Sequence, residues 1–330
     1  MRINLCANRY RAVHGNWYRT YRTIIEAFQE LGYPLARSQY LTIGDDSQFP
    51  EIKVGLEDEN TSTDIFVYNH SYVEDIKKLN LYRNPKHIFV KPTGPTPEHF
   101  TLDNLGYGCH ISLCYDKPGF EGYDYEDFFV NKTPQWIRER SNKWSDREDL
   151  KIVDLEVEIP DNHILILGQM PEDETVRNFS FGNHWEKLKR VVQEVENRDE
   201  PVVVKLHPEL LGSISEDQKE DVKVWKEKGL LVLTCRSSLY DILPKTKVAI
   251  LENSTSGIEC LISKVPIISY GYPEYHWVTK DLRHIVMLNS YIDDMSWYNE
   301  ELAKSFIAWY CEKFMCYDKP STIRRLKQLI

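Results

Sequence analysis

Short runs of consecutive apolar residues alternate along this chain with longer stretches in which apolar residues recur at three- and four-residue spacing. The runs 2–6, 64–68 and 87–90 read as strands. Tyr21, Ile24, Ile25, Phe28 and Leu31, closed by Gly32, read as one face of a helix. A short helix is expected within 72–81. The breaker-rich stretch 91–97 is expected to be a loop, because it can continue neither a helix nor a central strand. Alternation of this kind points to a sheet with helices on its faces.

The second half repeats the theme more plainly. The runs 163–168, 201–206, 230–233, 247–251 and 265–270 are compact apolar strands, and 201–206 is β-branched and continuous, as parallel strands covered on both faces tend to be. Trp185, Leu188, Val192 and Val195 form a helical stripe between the first two. This half is expected to be a doubly wound α/β domain. Leu302, Phe306, Trp309, Tyr310 and Phe314 mark an amphipathic helix in the tail. Residues 136–149 are charged and patternless and are expected to be a linker or an exposed helix. Two domains follow, 1–150 and 151–330, with the last helix able to pack back on the first.

Composition narrows the partners. With 42% hydrophobic and 28% charged residues the chain is an ordinary globular one, and no apolar run is long enough to cross a bilayer. Four arginines among the first twenty residues, with no apolar core, disfavour a secretory signal. Forty-one basic against 51 acidic residues give a net charge of −10, and no basic stripe is interleaved with aromatics, which argues against nucleic acid. The seven cysteines are odd in number and lack a C-x-x-C pair. Reduced thiols in the cytoplasm are therefore expected, without a metal centre.

In a doubly wound sheet ligands sit beyond the carboxyl ends of the strands. Four polar segments follow strands here: Gln169 to Glu174, His207-Pro208-Glu209, Glu252 to Glu259, and Gly271 to Tyr275. Together they make a rim suited to a phosphate-bearing ligand. Asn253, Ser254, Thr255, Ser256 and Gly257 place hydroxyls and backbone N–H groups where a strand turns into a helix, an anion-binding arrangement. The same residues also spell a capping box, with Glu259 reaching back to Ser256, so Glu259 either caps or holds a ligand. His207, aimed by Pro208 and assisted by Lys205, is placed to contact a phosphate oxygen. Asp173 is either a helix N-cap or a carboxylate that does chemistry.

Taken in order, these motifs resemble the bacterial capsule polysaccharide family that includes the retaining β-Kdo glycosyltransferases, which use CMP-Kdo. The resemblance lies in Ser256-Gly257-Ile258-Glu259-Cys260-Leu261, Lys264-Val265-Pro266-Ile267-Ile268 and Gly271-Tyr272-Pro273-Glu274-Tyr275. It extends to Lys205-Leu206-His207-Pro208 and to Gln169-Met170-Pro171-Glu172-Asp173. A weaker echo is Gly106-Tyr107-Gly108 leading to Ser112-Leu113-Cys114-Tyr115-Asp116. Cys260 stands where the family has alanine, and Glu98-His99-Phe100 stands where it has an acidic E-D-G motif.

The resemblance implies a GT-B fold, two Rossmann-like domains facing across a cleft, the second binding the nucleotide. It implies that His207 and the turn 254–256 hold a CMP phosphate, with Lys205 and Asn253 beside them and Glu259 near the ribose. Gln169 would help position the sugar. Asp173 would be the nucleophile of a double displacement, and Glu98 would assist the acceptor hydroxyl. No metal or other cofactor is implied. The expected partners are a nucleotide sugar and a glycan or glycolipid acceptor, with peripheral association to a membrane-bound assembly left open. Two other functions fit the motifs: a CDP-polyol phosphotransferase, and a nucleotide-binding assembly protein without turnover.

Overall fold

The computed structural model describes residues 3–6, 15–33, 35–39, 65–69, 86–145, 152–171, 173, 175–176, 182–208, 210, 214–234 and 236–330. The expected helix within 72–81 lies outside them. The chain divides into two compact units, one formed by 1–118 with 309–330 and the other by 119–308.

The first unit is built on strands β1 (Ile3–Cys6), β2 (Leu35–Gln39), β3 (Ile65–Asn69), β4 (Lys86–Pro92) and β5 (Phe100–Asp103), with helix α1 (Gly15–Glu30) following β1. They form one sheet in the order β2-β1-β3-β4-β5. The first four strands are parallel and β5 is antiparallel. The order 2-1-3-4 is that of a doubly wound sheet. Tyr21, Ile24, Ala27 and Phe28 of α1 are buried against Ile3, Ile65, Val67, Ile88 and Val90 of the strands. The helix stops where the sequence indicates. Gly32 has φ +82°, its N–H bonds to the Gln29 carbonyl, and the Tyr33 N–H reaches back to Phe28. The Tyr33 ring packs edge-on to Phe28 and completes a Schellman stop.

Residues 91 and 92, expected in a loop, belong to β4. Pro92 pairs with Phe100 at the strand's last position, where a missing N–H interrupts no interior ladder.

The second unit carries α2 (Thr133–Arg138), β6 (His163–Leu167), α3 (His184–Val195), β7 (Val202–Lys205), α4 (Glu216–Glu227), β8 (Leu231–Leu233), β9 (Thr246–Leu251), α5 (Gly257–Ile262), β10 (Ile267–Ser269), β11 (Lys280–Asp281) and α6 (Glu300–Trp309). Its six strands lie in the order β11-β10-β9-β6-β7-β8, all parallel. Counted from β6, this is the 3-2-1-4-5-6 order of a Rossmann sheet. Ile164, Ile166, Val202, Val204, Val248 and Ile250 pack with Leu188, Val192 and Val195 of α3 in one apolar cluster.

The unit boundary falls at 118/119 rather than near 150. Residues 119–145 are tied into the second unit. Phe120 packs edge-on to Phe306 with ring centroids 5.0 Å apart. Ser305 donates to the Tyr123 carbonyl. Arg140 bridges Asp154 and Asp241 at 2.6 and 3.0 Å. The final helix α7 (Lys319–Leu329), capped by Asp318, belongs with the first unit, where Arg325 pairs with Asp103 and Cys316 bridges to Phe100. No helix among the described residues is long and apolar enough to cross a membrane.

Candidate functional site

Because every strand of the second sheet runs the same way, the carboxyl ends of β7, β6, β9 and β10 share one edge. The four polar segments marked in the sequence therefore do form a common rim. Chain order reverses between β6 and β9, and at such a switch point the loops diverge and leave a crevice.

Gln169 and Asn253 span that point. Gln169 Nε2 donates to Asn253 Oδ1 at 2.8 Å, and the Asn253 N–H donates back to Gln169 Oε1 at 2.9 Å. Asn253 Nδ2 donates to the Thr175 carbonyl at 3.0 Å. These two side chains thus hold the rim together, pinning the β6 and β9 loops to each other. Behind them lies a buried triad absent from the sequence reading. The Gln169 N–H donates to His184 Nε2 at 2.9 Å, which leaves the ring proton on Nδ1, directed at Glu252. The other Glu252 oxygen is paired with Lys187. Glu252 and His184 have no side-chain exposure, so Glu252 is held away from water between Lys187 and the His184 ring.

His207 follows β7. Burial holds its imidazole down at about 4; Lys143 and Lys205 push the same way, and Asp173 opposes them. The ring is neutral at pH 7 and sits in a region of positive potential. Lys205 itself is only 6% exposed at the end of its strand.

The turn 254–256 departs from expectation in one respect. The N–H groups from Ser256 to Ile258 are used internally: Ser256 N–H bonds to Ser254 Oγ at 3.2 Å, Gly257 N–H to the Ser254 carbonyl at 3.1 Å, and Ile258 N–H to the Thr255 carbonyl at 3.0 Å. These three N–H groups are engaged within the turn, while the hydroxyls and the neighbouring cations face the same rim. Helix α5 has six residues, so little macrodipole lies behind the turn. Gly257 is obligatory for a different reason: a Cβ there would collide with the Tyr275 ring, whose hydroxyl donates to the Ser254 carbonyl.

The capping box is not formed, since the Ser256 side chain makes no cap hydrogen bond. Glu259 is thereby released. It is 9% exposed and its Oε2 has no hydrogen-bond partner. Burial pushes its carboxyl up to about 7, against the pull of its own backbone N–H and of Lys143. Lys143, from the stretch expected to be a linker, donates to Thr255 Oγ1 at 3.2 Å and lies over the Trp144 ring at 4.9 Å.

Asp173 caps the segment that follows it. Its Oδ1 accepts the Thr175 N–H at 2.8 Å and the Thr175 hydroxyl as well. Its charge is nonetheless felt by His207, which places it on the same rim. Glu172, Glu174 and Glu209 lie outside the described residues. Glu98 belongs to the first unit, in the loop between β4 and β5. It pairs with Arg19 at 2.8 Å and accepts the Thr96 hydroxyl at 2.6 Å, and Thr96 is bonded in turn to His99 Nδ1 at 2.8 Å.

Lys143, His184 and Lys187 are the rim and support residues that sequence reasoning did not reach. Nothing local distinguishes Lys143 from its charged neighbours, because its contact with Thr255 spans 112 positions.

The sequence profile of a family described as "capsule polysaccharide biosynthesis protein" matches residues 120–290. Among solved structures, the chain is similar to two of KpsC from Thermosulfurimonas dismutans. One is described as a beta Kdo 2,7 transferase, at 15% identity and a TM-score of 0.56, covering 99% of each chain. The other, a beta Kdo 2,4 transferase, matches at 14% identity and a TM-score of 0.56, covering 98% of this chain and 94% of that one. At these identities the likeness is one of fold, and the fold is GT-B. No curated protein matches the chain by sequence.

Proposed function

The chain belongs to the capsule polysaccharide biosynthesis family, and from that premise we propose that it is a glycosyltransferase that takes an acidic sugar, Kdo or a relative, from a CMP donor to a glycan or glycolipid acceptor. One observation carries this reading. At the switch point of the second sheet, the unpartnered Oε2 of buried Glu259 stands with Lys143, the hydroxyl turn and a neutral His207. A buried polar oxygen left without a partner is costly unless a ligand completes it. A ribose hydroxyl supplies the missing donor to Glu259, and a phosphate can accept from the hydroxyls of Ser254, Thr255 and Ser256 and pair with the cations of Lys143 and Lys205. The KpsC structures of the same fold, described as beta Kdo transferases, favour Kdo as the sugar.

The chemistry follows from the leaving group. The phosphate of departing CMP gains charge as the glycosidic C–O bond breaks, and fixed donors around it lower that barrier. His207 contributes as a hydrogen-bond donor, and a bound phosphate draws its pKa upward from about 4. Asp173 attacks the anomeric carbon as CMP leaves, forming a glycosyl ester. The acceptor hydroxyl then displaces the aspartate and gives its proton to a base, so configuration is retained. No metal enters the scheme, since protein cations neutralise the phosphate. The glycan is assembled at the cytoplasmic side, with the acceptor presented at the membrane surface.

The test is to incubate the chain with CMP-activated acidic sugars, UDP-sugars and CDP-polyols in parallel and to weigh an oligosaccharide acceptor afterwards. The expected product gains one acidic sugar from the CMP donor. Asp173→Asn should abolish that gain while CMP affinity stays nearly intact. A polyol-phosphate increment would make the chain a phosphotransferase, and undiminished turnover in Asp173→Asn would return that carboxylate to capping alone.

A further inference from the structure

We propose that Lys143, reaching the rim from the segment between α2 and β6, is the principal cation for the phosphate of the bound nucleotide. The proposal rests on the nucleotide reading of the rim given above, and it names a residue outside all four strand-end segments.

The segment that carries Lys143 is built to hold it there. Helix α2 ends at Arg140 with φ +53°, its N–H bonded to the Ile137 carbonyl and the Ser141 N–H to Trp136. This is a Schellman stop with arginine where glycine is usual. A non-glycine residue in the left-handed region carries strain of about 1 kcal/mol. Arginine is held there by its guanidinium, which bridges Asp154 and Asp241. A tight turn follows at once. Asn142 Oδ1 accepts the Trp144 N–H at 2.7 Å, and Ser145 Oγ accepts the Asn142 N–H at 2.8 Å. Lys143 projects from the apex of that turn, its ammonium backed by the Trp144 ring and bonded to Thr255 Oγ1.

Three chemically different groups of the site converge on this one ammonium. Thr255 touches it, and its charge reaches both His207 and Glu259. Its hydrogen bond to Thr255 Oγ1 joins it directly to the hydroxyl turn. Lysine acts on phosphate as a compact point charge, so it needs proximity and no fixed fork geometry. Closing this contact would shift Lys143 from a neutral hydroxyl to an anion, a gain realised only when the nucleotide is present.

The experiment titrates the full chain with CMP and with cytidine, which lacks the phosphate, in the wild type, Lys143→Met and Lys143→Arg, with thermal unfolding as a control. The wild type should bind CMP at least tenfold more tightly than cytidine. Lys143→Met should lose about tenfold or more in CMP affinity with cytidine unchanged, since a hydrogen bond to a charged group is worth about that much. Lys143→Arg should recover most of the loss. If Lys143→Met keeps the CMP preference, another cation grips the phosphate and the proposal falls while the nucleotide reading stands. Equal losses for both ligands would reduce Lys143 to a support of the turn. A wild type that shows no preference for CMP would overturn the phosphate reading of the rim and this proposal with it.

Discussion

Asp103 in the first unit and Glu259 in the second are both withdrawn from water, yet their surroundings treat them in opposite ways. Asp103 is fully enclosed and fully answered. It accepts the Ser112 N–H at 3.0 Å and the Leu105 N–H at 2.9 Å, it takes the Ser112 hydroxyl, and it pairs with Arg325 at 3.2 Å. Arg325 is held in turn by the Leu102 carbonyl at 3.0 Å and lies over the Phe314 ring at 4.4 Å. Burial raises the pKa of Asp103 and lowers that of Arg325, so desolvation outweighs attraction for both partners. Such a pair is valued less for net stability than for what happens when one member is lost. Glu259 has one oxygen without a partner and shares its surroundings with Lys143, the hydroxyl turn and His207, three groups that suit an anion. Burial alone therefore does not mark a site. An unmet hydrogen-bonding capacity on the correct edge of a sheet does.

The comparison can be broken in three places. Asp103→Ala should cost about 3–5 kcal/mol, because it strands the Arg325 guanidinium in the core. Urea unfolding reads this directly, and a loss under 1 kcal/mol would remove Asp103 from its structural role. Glu259→Gln should act with the opposite sign. The folded carboxyl titrates at about 7 and the unfolded one at the ordinary 4.5. Between those values the folded chain holds a proton that the unfolded chain has released, so the wild type loses stability as pH rises through this window. Glu259→Gln should then be the more stable protein above pH 7, by on the order of 3 kcal/mol, with the difference vanishing below about pH 4.5. Unfolding midpoints at pH 5 and pH 8 that differ equally between the two proteins would contradict this. Smallest is His207→Ala, expected to weaken CMP binding about tenfold without lowering the unfolding midpoint at pH 7. Because His207 is held at about 4 against an ordinary 6.5, the unfolded wild type takes up a proton first as pH falls. The wild type alone should lose stability from that cause across this interval. A fall in midpoint at pH 7 with CMP affinity unchanged would make the histidine a packing residue.

Much of the second unit was legible because its strands are compact apolar runs, and burial on both faces leaves that pattern no ambiguity. The edges were not. β2 reads Leu-Ala-Arg-Ser-Gln, β11 has two residues, and α7 begins Lys-Pro-Ser-Thr with only a narrow apolar face. Elements at an edge bury little, so their sequences carry little periodicity. The rim was legible as a set of strand ends, since parallel topology alone brings them to one side. Two of its details were not. Whether Ser256 caps α5 depends on a rotamer, and Lys143 reaches Thr255 only after the chain has folded around 112 intervening positions. Sequence locality covers neither.

Tyr275 and Gly257 have a consequence for how this site can change. The hydroxyl-bearing turn is cast against an aromatic ring supplied by the next loop, with no spare volume for even a methyl at position 257. A selection aimed at a bulkier or differently shaped donor cannot change 257 alone, because the Tyr275 ring fills the space a Cβ needs, while a smaller residue at 275 alone gives up the hydrogen bond to the Ser254 carbonyl. Variants with altered specificity here should surface as coupled pairs, and libraries that diversify both codons together will reach them where stepwise mutagenesis stalls.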